Sequence, residues 1–165
     1  MIHFNRFRGI APSVSKGFTL IELLVVIAII GILSAVVLAS LNTARTKGQD
    51  AAVQSNLSTI HVQAELYYGG AGNNSYAAGA VSTCTDTVTT NLFVNDTTIE
   101  RAVAATESAN GTTPSVACYA SAIAYAVSSQ LPTSVGGTAV YWCVDSTGFA
   151  GSRSSALTTT ECPGA

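Results

Sequence analysis

Hydrophobic residues along this chain follow two different patterns that meet near residue 41. From Leu23 to Leu41 the sequence is apolar apart from Gly31, Ser34 and Ser40. As a helix rising about 1.5 Å per residue, this run spans about 28 Å, close to the roughly 30 Å of a bilayer's hydrocarbon core. The run therefore predicts a membrane-spanning helix.

Beyond Leu41 the apolar residues become periodic. From Val53 they recur at steps of four, three, four and three, which is typical of a helix with one buried face. The residues on that face are Val53, Leu57, Ile60, Ala64 and Tyr67. No proline interrupts residues 18–68, so the pattern predicts one helix of about 50 residues that ends in the glycine-rich stretch Gly69–Asn74.

The remainder of the chain favours a short helix followed by strands. Residues 70–117 show little periodicity, but Thr97 and Glu100 fit a capping box ahead of Ala102–Thr106, and Asn110-Gly111 marks a turn. Strand patterns follow at residues 118–131, 140–144 and 149–154, with a turn over Pro132–Gly137 between the first two. We expect an α+β fold in which the long N-terminal helix packs against a small antiparallel sheet of three or four strands.

One acid, Glu22, lies at the start of the apolar run. An acid at the centre of a membrane helix costs about 2.5–3.5 kcal/mol, and near the end the cost is smaller but remains unfavourable without a positive partner. Cleavage after Gly17 would create a free amine on Phe18, four residues before Glu22. That amine could pair with Glu22 of the same helix or of a neighbouring helix, where an ion pair is poorly screened.

The segment Lys16-Gly17-Phe18-Thr19-Leu20-Ile21-Glu22, with the apolar run behind it, resembles the N-terminal signature of type IV pilins and of the pseudopilins of type II secretion. The resemblance implies that a membrane prepilin peptidase cleaves after Gly17 and methylates the new amine of Phe18. It also implies that Glu22 is the acid used in subunit docking. Many relatives carry a helix-kinking proline late in the apolar segment, and this chain has none there.

Domain boundaries follow from the periodicity and the resemblance together. Residues 1–17 would be a prepilin leader, 18–41 the transmembrane and assembly helix, and 42–68 the amphipathic half of the same helix. Residues 69–165 would form a pilin-like head with an αβ-loop, a β-sheet and a C-terminal disulfide loop.

Two ordinary export signals are the alternatives to this interpretation. A secretory signal peptide could be cut between Ala39 and Ser40, but its apolar region would be longer than the usual 7–15 residues and would begin with an acid. An uncut signal anchor is the other alternative. Neither accounts for Gly17 or Glu22.

Charge and cysteine content limit the possible functions. After removal of the leader, the chain has four basic and nine acidic residues, which give a formal charge of −5. This charge argues against direct nucleic-acid binding through a basic surface. Basic residues before and just after the apolar run differ little in number, but they favour an N-in, C-out orientation. All four cysteines would then lie outside the cytoplasm, where an even number favours disulfides.

Of the three possible connectivities, we favour the sequential pairing Cys84–Cys118 and Cys143–Cys162. A zinc site is disfavoured because there is no C-x-x-C motif and His61 is the single histidine after the leader. The loop acids Asp86, Asp96 and Asp145 could in principle bind calcium, but scattered acids of this kind are usually solvated. We therefore expect no metal and no cofactor.

The sequence predicts a structural protein and not an enzyme, since it shows no nucleophile elbow, phosphate loop or paired-acid motif. Expected partners are further copies of the chain, other pilin-like subunits, the prepilin peptidase, an assembly ATPase, an inner-membrane platform protein and the membrane itself. The chain would begin as a single-pass inner-membrane protein and end in an extracellular pilus or a periplasmic pseudopilus. A membrane-anchored binding domain that does not polymerise is the alternative from a different class.

Overall fold

The computed structural model describes residues 17–87, 89–111, 116–133 and 139–164. The leader up to Lys16 and most of the predicted turn Pro132–Gly137 lie outside these ranges. Within these ranges the chain forms three helices and four strands, in the order α1 Leu20–Gly69, α2 Leu92–Asn95, α3 Thr97–Asn110, β1 Val116–Ala120, β2 Tyr125–Gln130, β3 Tyr141–Asp145 and β4 Ala150–Arg153. The strands form one antiparallel sheet in the order β1-β2-β3-β4, so the predicted α+β fold is confirmed.

The chain divides into two compact units, one up to Ser40 and one from Leu41 onward. The division falls within α1, near the point where the sequence changes from continuously apolar to periodic. In the first unit, every described residue is exposed. The second unit, called the head below, contains every buried residue among those that the structure describes.

The head's core forms around the C-terminal part of α1. The residues of α1 that are buried are the five of the predicted stripe: Val53, Leu57, Ile60, Ala64 and Tyr67. They join the buried side chains of the sheet and of α3 in one cluster, among them Tyr125, Val127, Val144 and Ile99. The buried residues of α1 therefore recur along the helix with the predicted period of 3.6 residues.

Helix α1 ends where the glycine-rich stretch predicts. The backbone N–H of Gly72 donates to the carbonyl oxygen of Tyr67 at 2.7 Å, and Asn73 and Asn74 have positive φ angles of 50° and 62°. A Cβ atom on Gly72 would lie 2.2 Å from the carbonyl oxygen of Ser75 and 2.7 Å from the Tyr67 ring. Only glycine fits here, because the chain folds back tightly against the last buried tyrosine of the helix.

The cap of α3 differs from the prediction. Asp96, and not Thr97, is the N-cap: its Oδ1 accepts hydrogen bonds from the backbone N–H groups of Thr98 at 2.8 Å and Ile99 at 3.0 Å. Aspartate is a stronger N-cap than threonine. Its second oxygen also accepts a hydrogen bond from Gln63 Nε2 at 2.8 Å, which connects α3 to α1. The predicted turn at the helix end is present, with Gly111 as a left-handed C-cap.

Replacing Asp96 with alanine should lower the head's free energy of unfolding by about 1–2 kcal/mol, because it removes a cap and leaves Gln63 without this acceptor. Replacing Thr97 with alanine should change it by less than about 0.5 kcal/mol, as is usual for surface positions. Denaturant unfolding of the two variants measures the difference. An equal loss in both would contradict the assignment of Asp96 as the cap.

The stretch 118–131, treated in the sequence as one alternating segment, is a hairpin. Ser121 ends β1 by donating its backbone N–H to the carbonyl oxygen of Ala124 at 2.8 Å, and its hydroxyl accepts from the N–H of Ala124 at 3.2 Å. The turn has no glycine, proline or asparagine, which is why the pattern does not show it. Helix α2, capped by the buried side chain of Asn91, also lies in the region where the sequence showed little periodicity.

Candidate functional site

The predicted cleavage site lies just before α1. Gly17, Phe18 and Thr19 are exposed and lie outside the helix, which begins at Leu20. Exposed, non-helical backbone is the kind of segment that a peptidase can bind. A Cβ atom added to Gly17 would meet nothing within 4 Å, so the chain's own packing does not require glycine there.

Glu22 is held by Thr19 at the start of the helix. Its Oε2 accepts hydrogen bonds from the backbone N–H of Thr19 at 2.8 Å and from the Thr19 hydroxyl at 2.7 Å. In return, Thr19 Oγ1 accepts the backbone N–H of Glu22 at 3.3 Å. This reciprocal arrangement is a capping box, and it places the carboxylate at the positive end of the helix dipole.

Thr19 is a functional residue that the sequence analysis missed. Its position three residues before a glutamate, ahead of an apolar run, is the usual signature of a capping box. The same signature at Thr97 and Glu100 is not used in the structure, where Asp96 caps α3. Because of this capping box, the helix begins two residues after Phe18. A chain that begins at Phe18 would therefore have its amine at the same end of the helix as the Glu22 carboxylate.

The N-terminal part of α1 presents its apolar side chains to the surroundings on all sides. Helix α1 contains an 18-residue window with a mean hydropathy of 3.0, of which none is buried. By length and composition it is long and apolar enough to cross a membrane. The exposed large side chains of this surface are Phe18, Leu20, Ile21, Leu23, Leu24, Val25, Val26, Ile27, Ile29, Ile30, Ile32, Leu33, Val36, Val37, Leu38 and Leu41.

Two disulfides connect irregular segments of the head to its sheet. Cys84, in the loop between α1 and α2, is bonded to Cys118 of β1, and Cys143 of β3 is bonded to Cys162 near the end of the chain. These are the sequential pairs favoured by the sequence analysis. Each bond attaches a segment with few regular hydrogen bonds to a buried strand position.

The three candidate calcium acids lie in separate local arrangements. Asp86 accepts from the backbone and hydroxyl of Thr89, and Asp96 caps α3. Asp145, at the end of β3, accepts from Thr147 and from the backbone N–H of Cys162 at 2.9 Å. Among the described residues, no group of three potential metal-binding side chains comes together.

Asp145 is buried and connects three parts of the C-terminal region. Burial alone would raise its pKa, but hydrogen bonds from the Thr147 hydroxyl and from the backbone N–H groups of Cys162, Thr147 and Phe149 hold the pKa below the usual value. These bonds join the β3–β4 turn and the C-terminal segment to the end of β3. The carboxylate therefore stabilises the region that the Cys143–Cys162 bond also crosses.

The stabilisation by Asp145 should be lost in acid. Because the folded-state pKa lies below the unfolded value of about 3.9, the contribution is complete above that pH and disappears as the pH falls through the folded pKa. Replacing Asp145 with asparagine should thus destabilise the head near pH 7 and make little difference near pH 2. Unfolding of both proteins at a series of pH values measures this, and a pH-independent difference would contradict it.

Tyr76 and Tyr125 belong to the core, and the half-buried His61 lies beside Tyr125. His61 Nδ1 lies 2.9 Å from the hydroxyl of Tyr125, and the Tyr76 hydroxyl donates to Glu65 at 2.9 Å. The rings of Tyr76 and Tyr125 contact each other edge to face at 4.8 Å. Burial raises the pKa of both tyrosines well above the usual value, so they stay neutral. This arrangement is a packed polar network and offers no open catalytic geometry.

Comparison with known proteins bears on the N-terminal segment. The family profile described as the prokaryotic N-terminal methylation motif matches residues 12–38, which include Gly17, Phe18 and Glu22. The N-terminal segment therefore carries a prokaryotic N-terminal methylation motif. The resemblance seen in the sequence is thereby confirmed.

The chain is also similar to part of a pilus protein. Over 64 residues it is 47% identical to the type IV wide pilus major component PilA4 of Thermus thermophilus, a match that covers 39% of this chain. The matched part spans 47% of that relative, about half its length. No solved structure matches the chain.

Proposed function

We propose that the chain is the structural subunit, a prepilin, of a type IV pilus-like filament. It would be inserted in the inner membrane by α1 with its N-terminus in the cytoplasm, cleaved after Gly17, methylated on Phe18 and polymerised through the same helix. The observation that carries the proposal is the juxtaposition of an exposed cleavage segment, a capped Glu22 and a helix that is apolar on every side.

The apolar surface of α1 requires a partner. Burial of apolar surface is worth about 25 cal/mol per Å², so this surface is stable only in lipid or against other apolar surfaces. Inside the membrane the lipid tails cover it. Outside the membrane other copies of the same helix can do so, which makes a helical filament core the natural product of extraction.

Glu22 would direct the register of that packing. Its carboxylate already accepts two hydrogen bonds from Thr19, which lowers the cost of carrying it in an apolar setting. Thr19 is uncharged, so the opposite charge would come from the amine of Phe18 on a neighbouring subunit. In a medium of low dielectric constant such a pair is strongly favoured over either charge alone.

The remaining partners follow from this mechanism. A prepilin peptidase would cut and methylate the chain, and an assembly ATPase with its platform protein would drive extraction. We propose no enzymatic activity for the chain itself. The name of the PilA4 relative favours a surface pilus over a type II secretion pseudopilus.

Mass spectrometry of the N-terminus tests the proposal directly. Material sheared from the cell surface should contain a chain that begins at a methylated Phe18, and electron microscopy should show it in filaments. A chain that begins at Met1 or Ser40 would overturn the proposal. Filaments confined to the periplasm would instead indicate a pseudopilus.

Replacing Gly17 with valine should block processing almost completely. The chain has room for the larger side chain, so a failure would come from the peptidase's own need for a residue without a side chain. The variant should remain in the membrane fraction at the gel mobility of the uncut chain, and Gly17→Ala should be cut at an intermediate level. Mature mobility for Gly17→Val would contradict the assigned cleavage site.

A further inference from the structure

A groove in the head runs along one face of α3. Glu100, Val103, Ala104 and Glu107 are spaced at intervals of three and four residues, which places them on that face. Phe93 of α2 and the loop that carries the Cys84–Cys118 disulfide form the opposite wall. The volume of this open groove is about 310 Å³.

The groove continues past the disulfide toward the sheet. Cys84 and Glu107 also line a second cavity of about 330 Å³, which extends to Val116 and Tyr119 of β1. Glu107 therefore lies where the two cavities meet. The disulfide holds the loop between them, so both cavities are parts of a firmly attached surface.

The chemistry of the groove fits a long cationic side chain. Its walls are apolar at Phe93 and Val103, while Glu100 and Glu107 add two carboxylates. Neither carboxylate makes an ion pair within the described ranges of the chain. Lysine and arginine side chains match such a surface, because their methylene stems pack on apolar walls while the charged end reaches an acid.

The chain itself supplies suitable cations. Four basic residues follow Gly17, namely Arg45, Lys47, Arg101 and Arg153. Arg153 lies 3.7 Å over the ring of Phe149, and Arg101 belongs to α3 itself. Arg45 and Lys47 are exposed on α1, and in the part of the chain that the structure describes they make no ion pair.

We propose that this groove of one copy receives Arg45 and Lys47 of a second copy in the filament. The inference rests on the proposed function, because only a polymer brings many heads together. Those heads repel one another, since eight acidic and four basic residues from Leu41 onward give each head a formal charge of −4. Placing the two unpaired cations of each copy against Glu100 and Glu107 of its neighbour reduces that repulsion and fixes which head surfaces meet.

Charge reversal in full-length protein, in cells that assemble the wild-type chain, tests the contact. Glu107→Lys and Lys47→Glu should each lower the yield of sheared filaments about tenfold, because each places like charges together. The two changes combined should restore the yield to within about twofold, because the pair is rebuilt in the opposite sense. A double variant no better than either single one would overturn the inference.

Glu161→Lys is the matched control, since it makes the same change of charge at an exposed acid away from the groove. It should assemble at the wild-type level, and a tenfold loss there would assign the effect to net charge and overturn the inference. Absence of filaments from the wild-type chain would overturn the proposed function as well. If the wild-type chain forms filaments and neither charge reversal changes their yield, only the groove contact is overturned.

A second measurement does not depend on charge. A photoreactive amino acid in place of Ala104, which is exposed in the groove wall, should form a crosslink in assembled filaments. Mass spectrometry should find the crosslinked partner peptide next to Arg45 or Lys47 of another copy. A crosslink to any other surface would overturn the proposal.

Discussion

Replacing Glu22 with glutamine should leave the chain in the membrane but reduce filament yield by roughly a hundredfold or more. Breaking one side of a poorly solvated ion pair costs about 3–5 kcal/mol, which corresponds to that range. Glutamine keeps a side-chain oxygen that can accept the hydrogen bonds from Thr19, so the variant removes the charge and keeps the cap. Immunoblots of the sheared and membrane fractions measure both outcomes.

Thr19→Ala is the complementary variant, because it keeps the charge of Glu22 and removes the cap. Loss of an N-cap costs about 0.5–2 kcal/mol, so assembly should fall far less than in Glu22→Gln. Normal filaments from Glu22→Gln would remove the pairing of Glu22 with the neighbouring amine from the mechanism. Equal losses in both variants would show that assembly depends on the cap as strongly as on the charge.

Replacing Leu57 with alanine should lower the head's free energy of unfolding by about 2–5 kcal/mol. The side chain of Leu57 on α1 is fully buried against the rest of the core. Replacing it with a smaller side chain loses packing contacts and leaves a cavity. Thermal unfolding of the detergent-solubilised full chain measures the effect. The near-ultraviolet signal of Trp142, the single tryptophan, reports on the sheet.

Leu66→Ala is the matched control on the same helix. Its side chain is 63% exposed, so the same loss of atoms should change the free energy of unfolding by less than about 0.5 kcal/mol. Similar losses for the two leucines would mean that the face of α1 assigned to the core is wrong. The pair therefore tests the helical period itself and not only one side chain.

The sequence predicts those parts of the molecule in which one strong pattern dominates. The stripe that includes Leu57 is long and regular, and tertiary packing has no reason to override it. The match of residues 16–22 to a known signature is equally specific. The sequence also predicts the antiparallel sheet, but it shows the segment 118–131 as one strand where the structure has the hairpin of β1 and β2.

Other features depend on contacts that a local pattern does not contain. Asp96 caps α3 partly because Gln63, 33 residues earlier, donates to it. The four-residue helix α2 depends on the buried side chain of Asn91, and the turn after β1 uses Ser121 in place of glycine or proline. The groove beside α3 is lined by residues of α2, of α3 and of the loop that the Cys84–Cys118 disulfide attaches to β1, so its residues show no common signal in the sequence.

The division of the chain at Ser40 has a practical consequence. No described residue before Leu41 is buried. Removing the chain up to Ser40 therefore removes the exposed apolar surface of α1 and deletes no described side chain from the core. The segment 41–165 is therefore a suitable reagent for crystallisation or for raising antibodies in the absence of detergent. It would also keep the acidic groove and both cations, and so could be used to compete with intact subunits at a growing fibre.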